Sequence, residues 1–332
     1  MVLRTIFQHI FYKLFLAIMS LVFAINPYVG PSTETPITVS NPEEVKATMA
    51  LIADPQVSNY LFDRYPVFKA AAEDLHNSEA KFDALVGVGD IAENGLSVEY
   101  QLVYDGIGGL ETRYIMATGN HDIRLRLYKQ SLNTFSHFAN TLNGDDSMDC
   151  FHFSERIGGY KVIVLGSDRT EFEEAYLSDA QLEWLNDEIK AENGKPVFVI
   201  LHQPLKATHN VEVAWNSPIE GGGTVKSFLV SFLSIALKAI MSKYDNVFLI
   251  SGHLHSGFGP DSYNNVDGIH SINLPSLTID NKDGTYNDAG TGYILEVYED
   301  EVIFRARNFA KGVWVAEETG DSSYDLVIPV VK

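Results

Sequence analysis

Six stretches of nearly unbroken Val, Ile, Leu and Ala, each closed by a polar tail, constrain this chain more than any other feature. They are ATMALIAD, FDALVGVGD, RYIMATG, YKVIVLGSD, KPVFVILHQP and NVFLISGHLH. A strand that is apolar at almost every position must be covered on both faces, which points to sheets under helices. Helical patterns lie between them. YPVFKAAAEDLHNSE and DAQLEWLNDEIKAEN carry apolar residues at three- and four-residue spacing. In the second, Ser178 is placed to cap the start and Asn193-Gly194 to end the helix. VKSFLVSFLSIALKAIMSKY predicts a longer buried helix, since Lys226, Lys238, Lys243 and its serines do not suit a membrane span. Beyond Gly257, GIHSINLPSLTI, TGYILEVYED and EVIFRARNF read as an antiparallel portion with hairpin turns, one at Glu299-Asp300. The class is α/β. No boundary interrupts the chain after residue 46, so one domain is expected over residues 46–332.

With 45% hydrophobic and 20% charged residues over 332 positions, a sizeable core forms without covalent staples. The single cysteine, Cys150, excludes an internal disulfide framework and any cysteine zinc cluster. A net charge of −20, from 44 acidic against 24 basic side chains, repels nucleic acid. A small phosphate-bearing substrate stays compatible with that field if cations reverse it locally. At the N-terminus, Arg4 and Lys13 precede the apolar run Leu14–Ile25. Residues 1–30 read as a signal peptide or membrane anchor and 31–45 as a linker, which predicts an exported or membrane-anchored, extracytoplasmic protein.

The polar residues sit where the strands end. Asp54 closes the first and Asp90 the second; Asn120, His121 and Asp122 follow the third; His202 ends the fifth; His253 and His255 follow the sixth. Ligands of α/β sheets bind outside the carboxyl ends of the strands, so these segments are expected to converge. Asp, Asn and His together supply oxygen and nitrogen donors suited to divalent transition metals. Gly89, Gly119 and Gly252 each precede a candidate, where a tight turn needs a permissive backbone. His253 and His255 are two apart, which in an extended segment sends them to opposite sides, suiting two different ions.

The ordered set D-x-Q, G-D, G-N-H-D, H and G-H-L-H resembles the calcineurin-like metallophosphoesterase superfamily over about residues 46–310. LSDAQLEWLNDEI adds to the likeness, being similar to a helix of diester-cleaving members. The resemblance implies a four-layer α/β/β/α sandwich of two mixed sheets flanked by helices, the metallo-dependent phosphatase fold. It implies two divalent metal ions (Mn2+, Fe2+/Fe3+ or Zn2+), the first on Asp54, Asp90, His255 and position 56, the second on Asp90, Asn120, His202 and His253. His121, paired with Asp122, would stand beside the leaving group as the catalytic acid. The implied activity is hydrolysis of small phosphomonoesters or phosphodiesters by in-line attack of a metal-bridging hydroxide, with the ions about 3.5–4 Å apart.

One position departs from the pattern. Where such first motifs usually carry His, this chain has Gln56, an uncharged oxygen donor expected to bind the first ion weakly or to hydrogen-bond water on it. A catalytically weak or inactive metal- or ligand-binding relative is the alternative that Gln56 raises. Glu93-Asn94 stands where an aspartate is frequent. Arg124 and Arg126 read as a solvated helix face rather than as phosphate contacts. The long loop Pro204–Thr224, with His209 and Trp215, reads as a lid or as surface packing. His137, His152 and His270 read as structural.

Overall fold

The apolar strands form two separate sheets. The structure, a computed structural model, describes residues 35–206, 208–209 and 235–332. Its strands in chain order are β1 (Ala47–Ile52), β2 (Ala84–Val88), β3 (Arg113–Ala117), β4 (Phe153–Ile157), β5 (Tyr160–Val164), β6 (Val197–Ile200), β7 (Val247–Ser251), β8 (Tyr263–Val266), β9 (Ile269–Asn273), β10 (Thr291–Val297), β11 (Glu301–Asn308), β12 (Val313–Trp314) and β13 (Leu326–Pro329). The helices are α1 (Arg64–His76), α2 (Ser97–Ile107), α3 (Asn120–Ile123), α4 (Tyr128–Asn143), α5 (Asp179–Lys190) and α6 (Val315–Thr319). The first sheet runs β12-β11-β10-β1-β2-β3, with β13 also on β11; the second runs β4-β5-β6-β7-β9-β8.

Alternation along each strand divides its apolar residues between two cores. In β1, Met49 and Leu51 enter the core between the sheets, while Ala50 and Ile52 face the helices. The inter-sheet core gathers Val86 and Leu295 from one sheet with Val164, Phe198, Phe248 and Ile250 from the other. Outside the first sheet, Phe68 of α1, Val103 of α2 and Phe135 of α4 pack on Leu85 and Ile52. Outside the second, Leu185 and Ile189 of α5, with Leu237 and Met241, cover Ile163, Val199 and Leu249. The result is the expected four-layer sandwich of two mixed sheets.

All nine expected strands form, and Ser178 caps α5, its side chain accepting from the Gln181 N–H. The C-terminal portion differs from the expectation. Only part of it is antiparallel: β9 joins the second sheet parallel to β7, whereas β10 lies beside β1 in the middle of the first sheet. Helices α2 and α4 and strands β4 and β8 add to the expected elements. The face of α4 turned to the sheet carries Ser131, Phe135, Phe138 and Ala139, with Tyr128, Leu132 and Leu142 partly buried beside them.

Residues 35–45, read as linker, lie against the domain. Ile37 is fully buried, and its carbonyl accepts from the N–H groups of Glu79 and Ala80. The predicted helix over 225–244 is described only from residue 235 and is helical over 235–241. The N-terminal apolar run lies outside the described residues. Among those described, no helix is long and apolar enough to cross a membrane.

Strands β1, β2 and β3 are mutually parallel, as are β5, β6, β7 and β9, so each set delivers its carboxyl ends to one edge. Phe248 links the two sheets, with Phe198 beside it at 5.3 Å and Phe304 opposite at 6.3 Å between ring centroids. Truncating it to alanine leaves a void in the inter-sheet core. Phe248→Ala is expected to cost about 3–5 kcal/mol in urea unfolding; a loss under about 1 kcal/mol would show that the sheets do not depend on this contact.

Candidate metal centre

At that edge the strands from both sheets end in left-handed turns. Asp54, Gln56, Asp90, His253 and His255 all have positive φ, between 36° and 71°. Such a conformation is uncommon for residues with a side chain, and here it turns five of them towards one place. His253 and His255 therefore do not diverge by strand alternation, as an extended segment would require. They diverge because two left-handed residues flank Leu254. The His255 ring reaches Asp54, and the His253 ring stacks edge-on to His202, with 5.1 Å between centroids.

The glycines act mainly by what they lack. A Cβ on Gly119 would lie 2.1 Å from Asp90 Oδ1, and one on Gly252 would lie 2.4 Å from Asp54 Oδ2. Gly89 combines both needs: φ is 85°, and a Cβ would meet the His202 side chain at 2.6 Å.

Asp54 and Asp90 are almost fully buried, at 0% and 1% exposure. Asp54 Oδ2 accepts from the His253 backbone N–H at 2.9 Å, and Oδ1 lies 3.1 Å from His255 Nε2. Asp90 Oδ1 accepts from the His121 backbone N–H at 2.8 Å. Its Oδ2 accepts from Gln56 Nε2 at 3.1 Å and lies 3.2 Å from His202 Nε2. His202 Nδ1 is anchored on the Val88 carbonyl at 2.8 Å, which leaves Nε2 pointing into the site. Around the first motif, the Ser276 hydroxyl donates to the Asp54 carbonyl at 3.0 Å and the Thr278 hydroxyl to the Pro55 carbonyl at 2.7 Å. No sequence signal marked these two braces, because they come from a loop more than 200 residues away.

Burial and charge compete in the titration here. Burial alone would push the Asp90 carboxyl up, but His202 and His121 outweigh it and hold the group well below the usual range. Burial would strip His202 of its proton, yet Asp90 and Asp54 push its pKa up to about 10. Burial, reinforced by the charge on His202, drives His253 down to about 4, so this ring is neutral and keeps a lone pair. For His121 burial again opposes charge, and Asp90 and Glu93 prevail, raising it.

The expected pairing of His121 with Asp122 is not what the structure shows. The Asp122 carboxylate accepts from the N–H groups of Ile91, Ala92 and Gly119 and from the Tyr100 hydroxyl at 2.9–3.1 Å. It knits the β2 and β3 turns together and has no bond to the His121 ring. The ring partner is Glu93: His121 Nδ1 lies 3.0 Å from its backbone oxygen and 3.4 Å from Oε2. Glu93, 8% exposed, is pinned in turn by Arg64 and faces Arg124 Nη2 at 3.6 Å. Arg124 is thus no solvated cation. It lies between Glu93 and Glu173, with Phe172 over it at 5.3 Å. Arg126 does face the helix surface, within reach of the Thr134 hydroxyl at 3.5 Å.

Of the lid loop, only its first residues and His209 are described; Trp215 lies outside the described residues. His209 is buried, held by the Asp261 carbonyl at 2.7 Å and the Ser271 hydroxyl at 3.0 Å, and burial takes it down to about 4. His209 therefore packs. His152 against Trp184 and His270 against Phe248 do the same, as expected.

Whether these residues suit a metal can be judged from the polar atoms left over. Asp90, His202 and His253 each present a ligand atom within 4.8 Å of the others. Asn120 Oδ1 is buried without a hydrogen-bond partner, although Asn120 Nδ2 donates to Glu173 at 2.8 Å, and buried His202 Nε2 faces only the Asp90 and Asp54 carboxylates, at 3.2 and 3.7 Å. Buried polar atoms are nearly always satisfied, so an unpartnered amide oxygen and a ring nitrogen set against two carboxylates fit a divalent cation.

Comparison with known proteins agrees. The family model described as calcineurin-like phosphoesterase matches residues 47–257. A 3′,5′-cyclic-nucleotide phosphodiesterase of Nostoc is 26% identical over 63% of this chain and 68% of its own length. A probable glycerophosphodiester phosphodiesterase of Arcobacter nitrofigilis is 25% identical over 54% of this chain and 59% of its own. A 3′,5′-cyclic adenosine monophosphate phosphodiesterase of Escherichia coli is 22% identical over 57% and 60%. The chain thus spans less than two thirds of the second and third.

If Gly119 serves to let Asp90 into place, adding one methyl group should disable the cluster while the fold survives. Gly119→Ala is expected to weaken Mn2+ binding about 10–100-fold by isothermal titration. Unaltered affinity would show that Asp90 is not held by this contact.

Proposed function

The chain belongs to the calcineurin-like phosphoesterase family, a class of metal-dependent phosphoesterases, and from that premise we propose that it hydrolyses small phosphodiesters at the cluster around Asp90. The observation that carries the reading is the convergence of Asp90, His202 and His253, with the Asn120 amide oxygen buried and unpartnered. The relatives named as cyclic-nucleotide and glycerophosphodiester phosphodiesterases favour a diester over a monoester.

We assign two cation positions: Asp54, Asp90 and His255 for the first, and Asp90, Asn120, His202 and His253 for the second. Divalent cations bound there would polarise phosphoryl oxygens and activate water at neutral pH. The remaining work falls to the protein. His202, fixed by the Val88 carbonyl, and Asp54, fixed by the His253 N–H, hold their ligand atoms in place before any substrate arrives. His121, whose pKa Asp90 and Glu93 raise against burial, can donate to the departing oxygen. Glu93 orients that ring, while Asp122 keeps the Gly-Asn-His-Asp turn closed. Arg124, between two carboxylates and beneath an exposed phenyl ring, can meet the non-reacting part of the ester. From the N-terminal sequence alone we further propose that the protein acts outside the cytoplasm, exported or anchored by residues 1–30.

Hydrolysis of bis(p-nitrophenyl) phosphate should vanish with a chelator, return with Mn2+ and exceed that of p-nitrophenyl phosphate. Chelator-resistant turnover would contradict the proposal. A proton donor matters most where the leaving group is poor. His121→Gln should cost about 100-fold or more on an alkyl diester and far less on the nitrophenyl one. Equal losses on both would remove the acid role.

A further inference from the structure

Gln56 stands where a metal-binding imidazole is usual, and its surroundings decide which end of its amide faces the cations. The side chain is 2% exposed. Its Nε2 donates to Asp90 Oδ2 at 3.1 Å, and its Oε1 accepts from Arg64 Nη1 at 3.2 Å. Arg64 Nη1 also donates to the Gln56 backbone carbonyl at 3.2 Å and pairs with Glu93. Turning the amide over would set its NH2 against a guanidinium and its oxygen against a carboxylate, a mismatch at both ends. The orientation is therefore dictated by the fixed charges on either side. Arg64 has little freedom to move away: its side chain is 16% exposed, and its partner Glu93 is 10% exposed.

We infer that Arg64 is a positioning residue that holds Gln56 as a hydrogen-bond donor to Asp90 and keeps the Gln56 amide oxygen out of the coordination shell. The inference rests on the metal-dependent reading above and refines it. The first cation position then has three protein side chains, Asp54, Asp90 and His255, against four at the second. Moreover, the Gln56 N–H draws on the same Asp90 oxygen that a first cation would use. The two positions differ in affinity, and the weaker is the one beside Gln56. The glutamine is a tuned feature of this site: released from Arg64, its amide could rotate and offer oxygen to the cation.

The test is a Mn2+ titration of the full chain, by calorimetry and by electron paramagnetic resonance of free Mn2+. It uses the wild type, Gln56→Leu, Arg64→Met and the double variant, each checked for an unchanged thermal transition. Wild type should bind in two steps. Gln56→Leu should move the weaker step by less than about threefold, whereas loss of a true ligand costs about tenfold or more. Arg64→Met should tighten the weaker step about tenfold when Gln56 is present and clearly less in the Gln56→Leu background. The mere loss of a positive charge would tighten binding equally in both backgrounds, so that result would overturn the inference, as would a tenfold weakening in Gln56→Leu. If Arg64→Met fails to fold, Arg64→Lys carries the same comparison, because it keeps the charge but loses the planar fork. A wild type that binds no Mn2+ would overturn the metal-dependent reading itself, a separate result from a two-step wild type with the wrong variant pattern.

Discussion

Two carboxylates taken out of water set the terms for this structure. Asp54 and Asp90 lie at the seam between the sheets with almost no exposure, and a buried anion is costly unless positive charge or strong donors offset it. Backbone N–H groups from His253 and His121 supply part of that offset. The rest comes from histidines: the same field raises His202 to about 10 and keeps a proton between the two acids. A divalent cation would feel that field more strongly than a proton on one ring does. The left-handed turns and the glycines that leave room for the carboxylates all serve to keep two anions close together.

Around this centre the polar residues form two tiers. The inner tier is the set proposed to hold cations, Asp54, Asp90, Asn120, His202, His253 and His255, of which Asp90, His202 and His253 bring their ligand atoms within 4.8 Å of one another. The outer tier holds the inner one by bonds that face away from the centre: Val88 on His202, Ser276 on Asp54, Asp122 on the Gly119 turn, Glu93 on His121. Arg64 ties the first motif to the outer tier, since one nitrogen serves the Gln56 backbone, the Gln56 side chain and Glu93. Such cross-linking restrains each donor atom before any ligand binds, which is what a preorganised site requires.

Much of the inner tier was legible in the sequence, because each member closes an apolar run that can only be a covered strand. The layered architecture followed from the same runs. Strand order did not, since nothing local indicates that β10, late in the chain, lies beside β1. Helix α4 was open to the same reading, since Leu132, Phe135, Phe138, Ala139 and Leu142 recur at three- and four-residue spacing. The outer tier was misread where its partners come from distant segments. Arg124 looked solvated because Glu173 and Phe172 belong to a loop some 50 residues further on. Asp122 looked like the partner of the adjacent His121, although its carboxylate turns towards the β2 turn instead. For Gln56, sequence shows the residue but not that Arg64 donates to its amide oxygen.

The most direct measurement of the central claim is anomalous diffraction from crystals grown with Mn2+ and phosphate. The account predicts one strong peak among Asp90, Asn120, His202 and His253 and a weaker one between Asp54 and His255, with phosphate across both. Absence of a peak between Asp90 and His202 would contradict it.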